Sequence, residues 1–161
     1  MTDAKSIIVY LLIQILHLVR SNPKKIASRM YRTEKPYRVL NVSRLVSRPD
    51  ISYAVNLVSR YCNKHNHSHW LAVKRIFKYL IGTANHDILY ECGGSQVDMN
   101  LCGYSDADFA GDVDTRKSTT GYTFCINNSL VTWSSQRQKL VSLSTTESEY
   151  VAAATACKEP R

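Results

Sequence analysis

The spacing of apolar residues changes character near residue 88, and that change most limits what this chain can build. Before it, apolar side chains recur at three- and four-residue intervals, the period of a helix with one buried stripe. After it, they alternate, as in strands with one covered face. A helical part followed by a sheet part is the expectation, so the fold class is mixed α/β.

Charge divides at the same place. Residues 1–90 carry 15 basic and 4 acidic side chains, a balance of +11, whereas residues 91–161 carry 6 and 9, a balance of −3. The whole chain is 161 residues long with a formal charge of +8. Such a basic front favours an anionic partner, and an acidic back invites metal chemistry. The five cysteines are odd in number and form no C-x-x-C pair. They read as reduced thiols of an intracellular protein, cytoplasmic or nuclear, with no disulfide-linked partner.

Pro49 and Asp50 open the helical stretch, the proline in a first turn and the acid complementing the helix dipole. Val55, Val58 and Cys62 follow at helical spacing, with Ile51, Ala54 and Leu57 beside them. A second helix is expected from an N-cap near Ser68, with Trp70, Val73, Phe77 and Leu80 as its buried stripe and Gly82 as its stop. Leu71 and Ile76 flank the stripe, while Lys74, Arg75 and Lys78 cluster on the other side. Residues 49–81 therefore read as a helical hairpin with a basic, phosphate-seeking face. His65, His67 and His69 lie between the helices, but no nearby cysteine or carboxylate completes a metal shell. A polar interhelical loop is the better reading.

The N-terminal part is less specific. Residues 7–19 form an apolar run of 13 residues, short of the roughly 20 that cross a membrane. A buried or partner-docked helix is preferred there over a membrane or targeting segment. Residues 20–48 are strongly basic, with Glu34 the one acid and prolines at 23 and 36. They read as a solvated linker or arm.

In the second part, residues 88–90, 99–106, 119–126 and 130–135 are strand candidates, and Gly93-Gly94-Ser95 separates the first two. If Asn127-Asn128 is a two-residue type I′ turn, Phe124 pairs with Val131 and Tyr122 with Trp133. Ser144-Thr145-Thr146-Glu147 has the form of a capping box, in which Glu147 reaches back to the amide of residue 144. The helix it opens runs to about Lys158. Ala152, Ala153 and Ala156 share the face of Glu149, so that face is expected to approach the sheet and carry Glu149 inward. Asp106, Asp108, Asp112 and Asp114 concentrate after the first long strand. Hard divalent cations take such oxygen ligands, although solvated acidic turns share the composition.

The wording of this part is specific. Gly103-Tyr104-Ser105-Asp106-Ala107-Asp108-Phe109-Ala110-Gly111-Asp112, then Thr115 to Tyr122, Trp133-Ser134-Ser135 and Leu143 to Tyr150, resemble the ribonuclease H region of copia-type LTR retrotransposon Pol polyproteins. Upstream, Arg48-Pro49-Asp50-Ile51-Ser52-Tyr53-Ala54-Val55-Asn56, His69-Trp70, Ala72 to Ile76, Tyr79-Leu80 and Gly82-Thr83 resemble the segment that follows the polymerase palm. The resemblance covers about residues 48–159. It implies a ribonuclease H-like fold, here a three-stranded antiparallel meander and first helix behind a helical connector. The implied divisions are 1–47 (apolar helix and basic linker of unclear origin), 48–90 (connector) and 91–161 (partial nuclease domain).

The family's first two metal-binding carboxylates fall on Asp106 and Glu149. In the family they help hold two Mg2+ ions while RNA is cut within an RNA–DNA hybrid, and Asp108 and Asp112 belong to the motif without being the expected ligands. Lys74, Arg75 and Lys78 are the candidate nucleic-acid contacts. The family's later aspartates have no counterpart before Arg161. The resemblance therefore implies a metal-dependent phosphodiester hydrolase that is inactive alone, marginally folded, with Mg2+ held weakly or not at all. Other parts of a Pol polyprotein are implied partners. The alternative is a non-enzymatic binding module that uses basic residues 20–81.

Overall fold

A computed structural model of the chain describes residues 35–90 and 100–159. The apolar run 7–19, most of the basic stretch before it reaches Lys35, the Gly93-Gly94-Ser95 break and Cys92 lie outside the described residues. Those described form two compact units that divide between Asp87 and Ile88.

The first unit is helical. It contains α1 (Lys35–Val46), a 3-10 turn (Pro49–Ile51), α2 (Ser52–Ser59) and α3 (His67–Gly82). Its core joins Leu40 of α1, Ile51, Val55 and Val58, and the α3 residues Trp70, Val73, Ile76, Phe77 and Leu80. The α3 stripe forms as expected, with Ile76 buried as well and Leu71 left exposed. No helix among the described residues is long and apolar enough to cross a membrane.

Residues 35–46 correct the expectation of an irregular arm. Pro36 sits in the first turn of α1, where a missing N–H costs nothing. Leu40 and Ser43 are buried, and the Ser43 hydroxyl satisfies itself by donating to the Val39 carbonyl at 3.0 Å. A serine in the buried row, with Val42, Leu45 and Val46 exposed, masks the helical period in the sequence.

The start of α3 also moves. Its N-cap is Asn66, two residues before Ser68. The Asn66 side chain accepts from the His69 amide at 3.0 Å, and the Asn66 amide donates to His69 Nδ1 at 3.1 Å. The His69 ring stacks on Tyr61 with centroids 4.1 Å apart. His67 and His69 thus belong to the first helical turn.

Arg48-Pro49-Asp50 closes this unit on itself. The Arg48 guanidinium grips the Asp50 carboxylate in fork fashion at 3.0 and 2.7 Å, and also donates to the Thr83 carbonyl and hydroxyl at 3.0 and 2.6 Å. Tyr79 donates its hydroxyl to Asp50 at 2.8 Å. Donation from Arg48, opposed by partial burial and reinforced by Tyr79, holds the Asp50 carboxyl below the usual carboxylate range. A lowered carboxyl stabilises the fold above its unfolded value of 3.8 and loses that contribution as pH falls through the folded value. Tyr79, raised mainly by its bond to Asp50, contributes below its ordinary value of 10.0 and loses its share at higher pH. Urea midpoints measured against pH should therefore fall on both limbs, and Asp50→Asn should flatten the acid limb.

The second unit is an antiparallel meander of β1 (Leu101–Asp108), β2 (Thr119–Ile126) and β3 (Ser129–Arg137), in that spatial order, followed by α4 (Thr145–Ala156). Asn127 and Asn128 both have positive φ, 50° and 62°, as a type I′ turn requires. Ile126 pairs with Ser129 and Cys125 with Leu130, but the register then shifts. A bulge leaves Val131 without an opposite residue, so Phe124 pairs with Thr132 and Tyr122 with Ser134. The expected Phe124–Val131 and Tyr122–Trp133 pairs are thereby corrected, because the bulge turns Val131 outward. Residues 88–90 form no strand, and Leu89 and Tyr90 are exposed.

The helix α4 packs on β1 and β2. Gln138 fixes the approach: its amide donates to Thr120 Oγ1 at 3.0 Å and to the Ser148 carbonyl at 2.9 Å, while Ser142 donates to its oxygen at 3.1 Å. The sheet and helix are thus joined through a buried, satisfied amide.

Candidate functional site

The four aspartates that cluster in sequence separate in the structure. Asp106 lies in β1 opposite Gly121 and is exposed. Strand alternation puts it on one face with Tyr104 and Asp108, and puts Ala107 on the other. Its carboxylate has no hydrogen-bond or ion-pair partner among the described residues. Asp108 is also exposed, with its carboxylate lying against Gly111.

Asp112 has a different task. It is buried, and its carboxylate forms an ion pair with Arg137 of β3. It also accepts from the Thr115 hydroxyl at 2.6 Å and from the Asp114 amide at 3.2 Å. Its backbone closes the same loop, donating to the Lys117 carbonyl at 3.1 Å and accepting from the Arg116 amide at 2.7 Å. Arg116 takes positive φ, 55°, inside that loop. Asp112 thus shapes the β1–β2 connection, and its buried carboxylate is committed to Arg137, Thr115 and the Asp114 amide. Nothing in its sequence spacing separates it from Asp106; the distant Arg137 does.

The helix start follows its motif with one change. The Ser144 hydroxyl accepts from the Glu147 amide at 3.1 Å, but Glu147 reaches back to the amide of Leu143, at 2.6 Å, rather than to that of Ser144. The helix ends at Ala156 rather than near Lys158. Its buried row is Ser148, Ala152 and Ala156, while Glu149 and Ala153 are exposed. The expected inward face is thus rotated toward Ser148, whose hydroxyl is satisfied by the Thr145 carbonyl at 2.7 Å. Glu149 borders that row instead of lying within it. Its carboxylate, like that of Asp106, engages no described residue.

Asp106 and Glu149 therefore come from adjacent elements, a strand and the helix packed on it, as two exposed and unengaged carboxylates. Hard oxygen donors of this kind fit Mg2+, which takes one or two carboxylates and completes its shell with water or substrate phosphate. Among the described residues, no three His, Cys, Asp or Glu side chains converge as a metal site.

In the helical unit, Lys74 is half-buried, its ammonium 5.6 Å from the centre of the Trp70 ring. Arg75 and Lys78 are exposed on the same helix. Lys74 thus covers the edge of the core, and Arg75 and Lys78 are the more accessible cations.

Comparison with known proteins gives matches to transposon Pol polyproteins and to proteins of other description. The chain is 50% identical over 113 residues to the retrovirus-related Pol polyprotein from transposon TNT 1-94 of Nicotiana tabacum, spanning 70% of this chain and 8% of that one. It is 44% identical over 113 residues to the corresponding polyprotein from transposon RE1 of Arabidopsis thaliana, again 70% and 8%. The chain therefore spans less than a tenth of these polyproteins. It is also 42% identical over 115 residues to secreted RxLR effector protein 161 of Plasmopara viticola, covering 71% of this chain and 79% of that protein. No protein-family model and no solved structure matches the chain.

Proposed function

We propose, on the premise that the chain is a fragment of a copia-type retrotransposon Pol polyprotein, that its sheet unit is part of a ribonuclease H-like domain acting on the RNA of RNA–DNA hybrids. The observation that carries this reading is a contrast among the acidic side chains of the sheet unit. Asp112 is buried and held by Arg137, Thr115 and the Asp114 amide, whereas Asp106 and Glu149 are exposed on adjacent elements with no partner among the described residues. Unengaged carboxylates held on regular elements suit a task outside the fold.

Asp106 and Glu149 would hold Mg2+, which when bound supplies charge stabilisation for the scissile phosphate. The strand fixes the first carboxylate and α4 the second. The helical unit, on the same premise, is the connector from the reverse transcriptase. Arg75 and Lys78, with Lys74, would meet hybrid phosphates there. Two carboxylates leave further ligands to come from water, the hybrid or other parts of a Pol polyprotein.

Titration of the 15N-labelled chain with Mn2+ tests the reading. Paramagnetic broadening should begin at the amides around Asp106 and Glu149, and Asp106→Asn should weaken the apparent affinity by about ten-fold. Broadening that starts elsewhere, or that Asp106→Asn leaves unchanged, would remove the nuclease reading. Binding of an RNA–DNA hybrid that persists in that case would favour a non-enzymatic module built on Arg75 and Lys78.

A further inference from the structure

Two of the cysteines, scattered in sequence, meet in the sheet. Cys102 of β1 stands directly opposite Cys125 of β2. Opposed residues in an antiparallel pair project to the same face, with Cα atoms about 4.5 or 5.5 Å apart according to the class of pair. Both spacings lie within the roughly 4.4–6.8 Å that a disulfide spans. Both thiols are free, Cys102 exposed and Cys125 half-buried. Cys62 follows α2 and Cys157 ends α4, so neither has such a partner in the ladder.

We propose that Cys102 and Cys125 form a cross-strand dithiol, a modification site that a small-molecule disulfide oxidises reversibly to an intrachain bond. The Cys102 thiolate, being exposed, attacks one sulfur of the oxidant, and the other sulfur leaves as a thiol. The Cys125 thiolate then attacks the Cys102 sulfur, forming the intrachain bond and releasing the second thiol. Two protein thiols lose two electrons and two protons, and one small disulfide becomes two thiols, so the exchange balances.

The site has a structural consequence. β1 is an edge strand, exposed along its length except at Ala107. It is held by its ladder to β2, by α4, and by the Phe124 ring lying over Gly103. A covalent link one residue from that glycine would clamp β1 to β2 on the face that also carries Asp106.

Glutathione disulfide added to the whole chain tests this, followed by alkylation, non-reducing digestion and mass spectrometry. The expected product is a linked Cys102–Cys125 peptide pair, with Cys62 and Cys157 alkylated. Its yield should be about ten-fold lower for the same chain in urea, where register no longer sets the local thiol concentration. Cys125→Ser should instead accumulate glutathione on Cys102. Equal linkage in urea, links that favour Cys92, or stable glutathione on Cys102 of the unmutated chain would each overturn the proposal.

Discussion

Leu40→Ala is expected to destabilise the helical unit by about 3 kcal/mol, within the range for truncating a fully buried leucine. Leu40 has no exposed surface and packs with residues from α2 and α3. Truncation removes its transfer free energy and leaves a cavity that three short helices can close only in part. Small domains hold only about 5–15 kcal/mol in total, so much of the unit's margin disappears. Urea unfolding followed through Trp70 fluorescence, in a Trp133→Phe background, isolates this unit. Leu45→Ala, at an exposed position on the same helix, should stay within about 0.5 kcal/mol of the parent. If α1 were a solvated arm, both substitutions would be silent. A Leu40→Ala effect no larger than that of Leu45→Ala would therefore place α1 outside the core.

Asp112→Ala is expected to cost the sheet unit about 3 kcal/mol, and Asp106→Ala almost nothing. The Asp112 carboxylate accepts from a guanidinium, a hydroxyl and a backbone amide while buried. Its removal leaves Thr115 and Arg137 without their acceptor and withdraws support from a loop that holds Arg116 at positive φ. Asp112→Asn keeps the shape but loses the charge-assisted part, so a cost of about 1–2 kcal/mol follows. Trp133 fluorescence in a Trp70→Phe background reads this unit alone. Equal effects at positions 106 and 112 would erase the distinction between a carboxylate that builds the fold and one left for a ligand.

That distinction also marks how far sequence reading reaches. β2, the Asn127-Asn128 turn, the buried stripe of α3 and the Ser144 cap could all be read from the chain, because each depends on neighbours within a few residues. The bulge at Val131 could not. A two-residue turn sets the first pairs of a hairpin, but packing across the sheet decides where an extra residue is absorbed. Nor could the roll of α4, since a serine that satisfies its own hydroxyl is as buriable as an alanine. The same physics hid α1, where Ser43 occupies a core position between apolar residues that face outward.

The chemistry of the candidate site divides along the same line. Which residue types are available, and that Asp106 and Glu149 fall on a strand and a helix, follow from local pattern and motif. Which acids remain available does not. Asp112 is withdrawn by Arg137, 25 residues away. Cys102 acquires Cys125 as a neighbour only because β1 and β2 pair in one register. Backbone preferences and caps act over one or two turns, so the chain alone decided β2, the Asn127-Asn128 turn, the α3 stripe and the Ser144 cap. Ion pairs, registers and buried rows act between segments distant in sequence, and only the tertiary structure decided those.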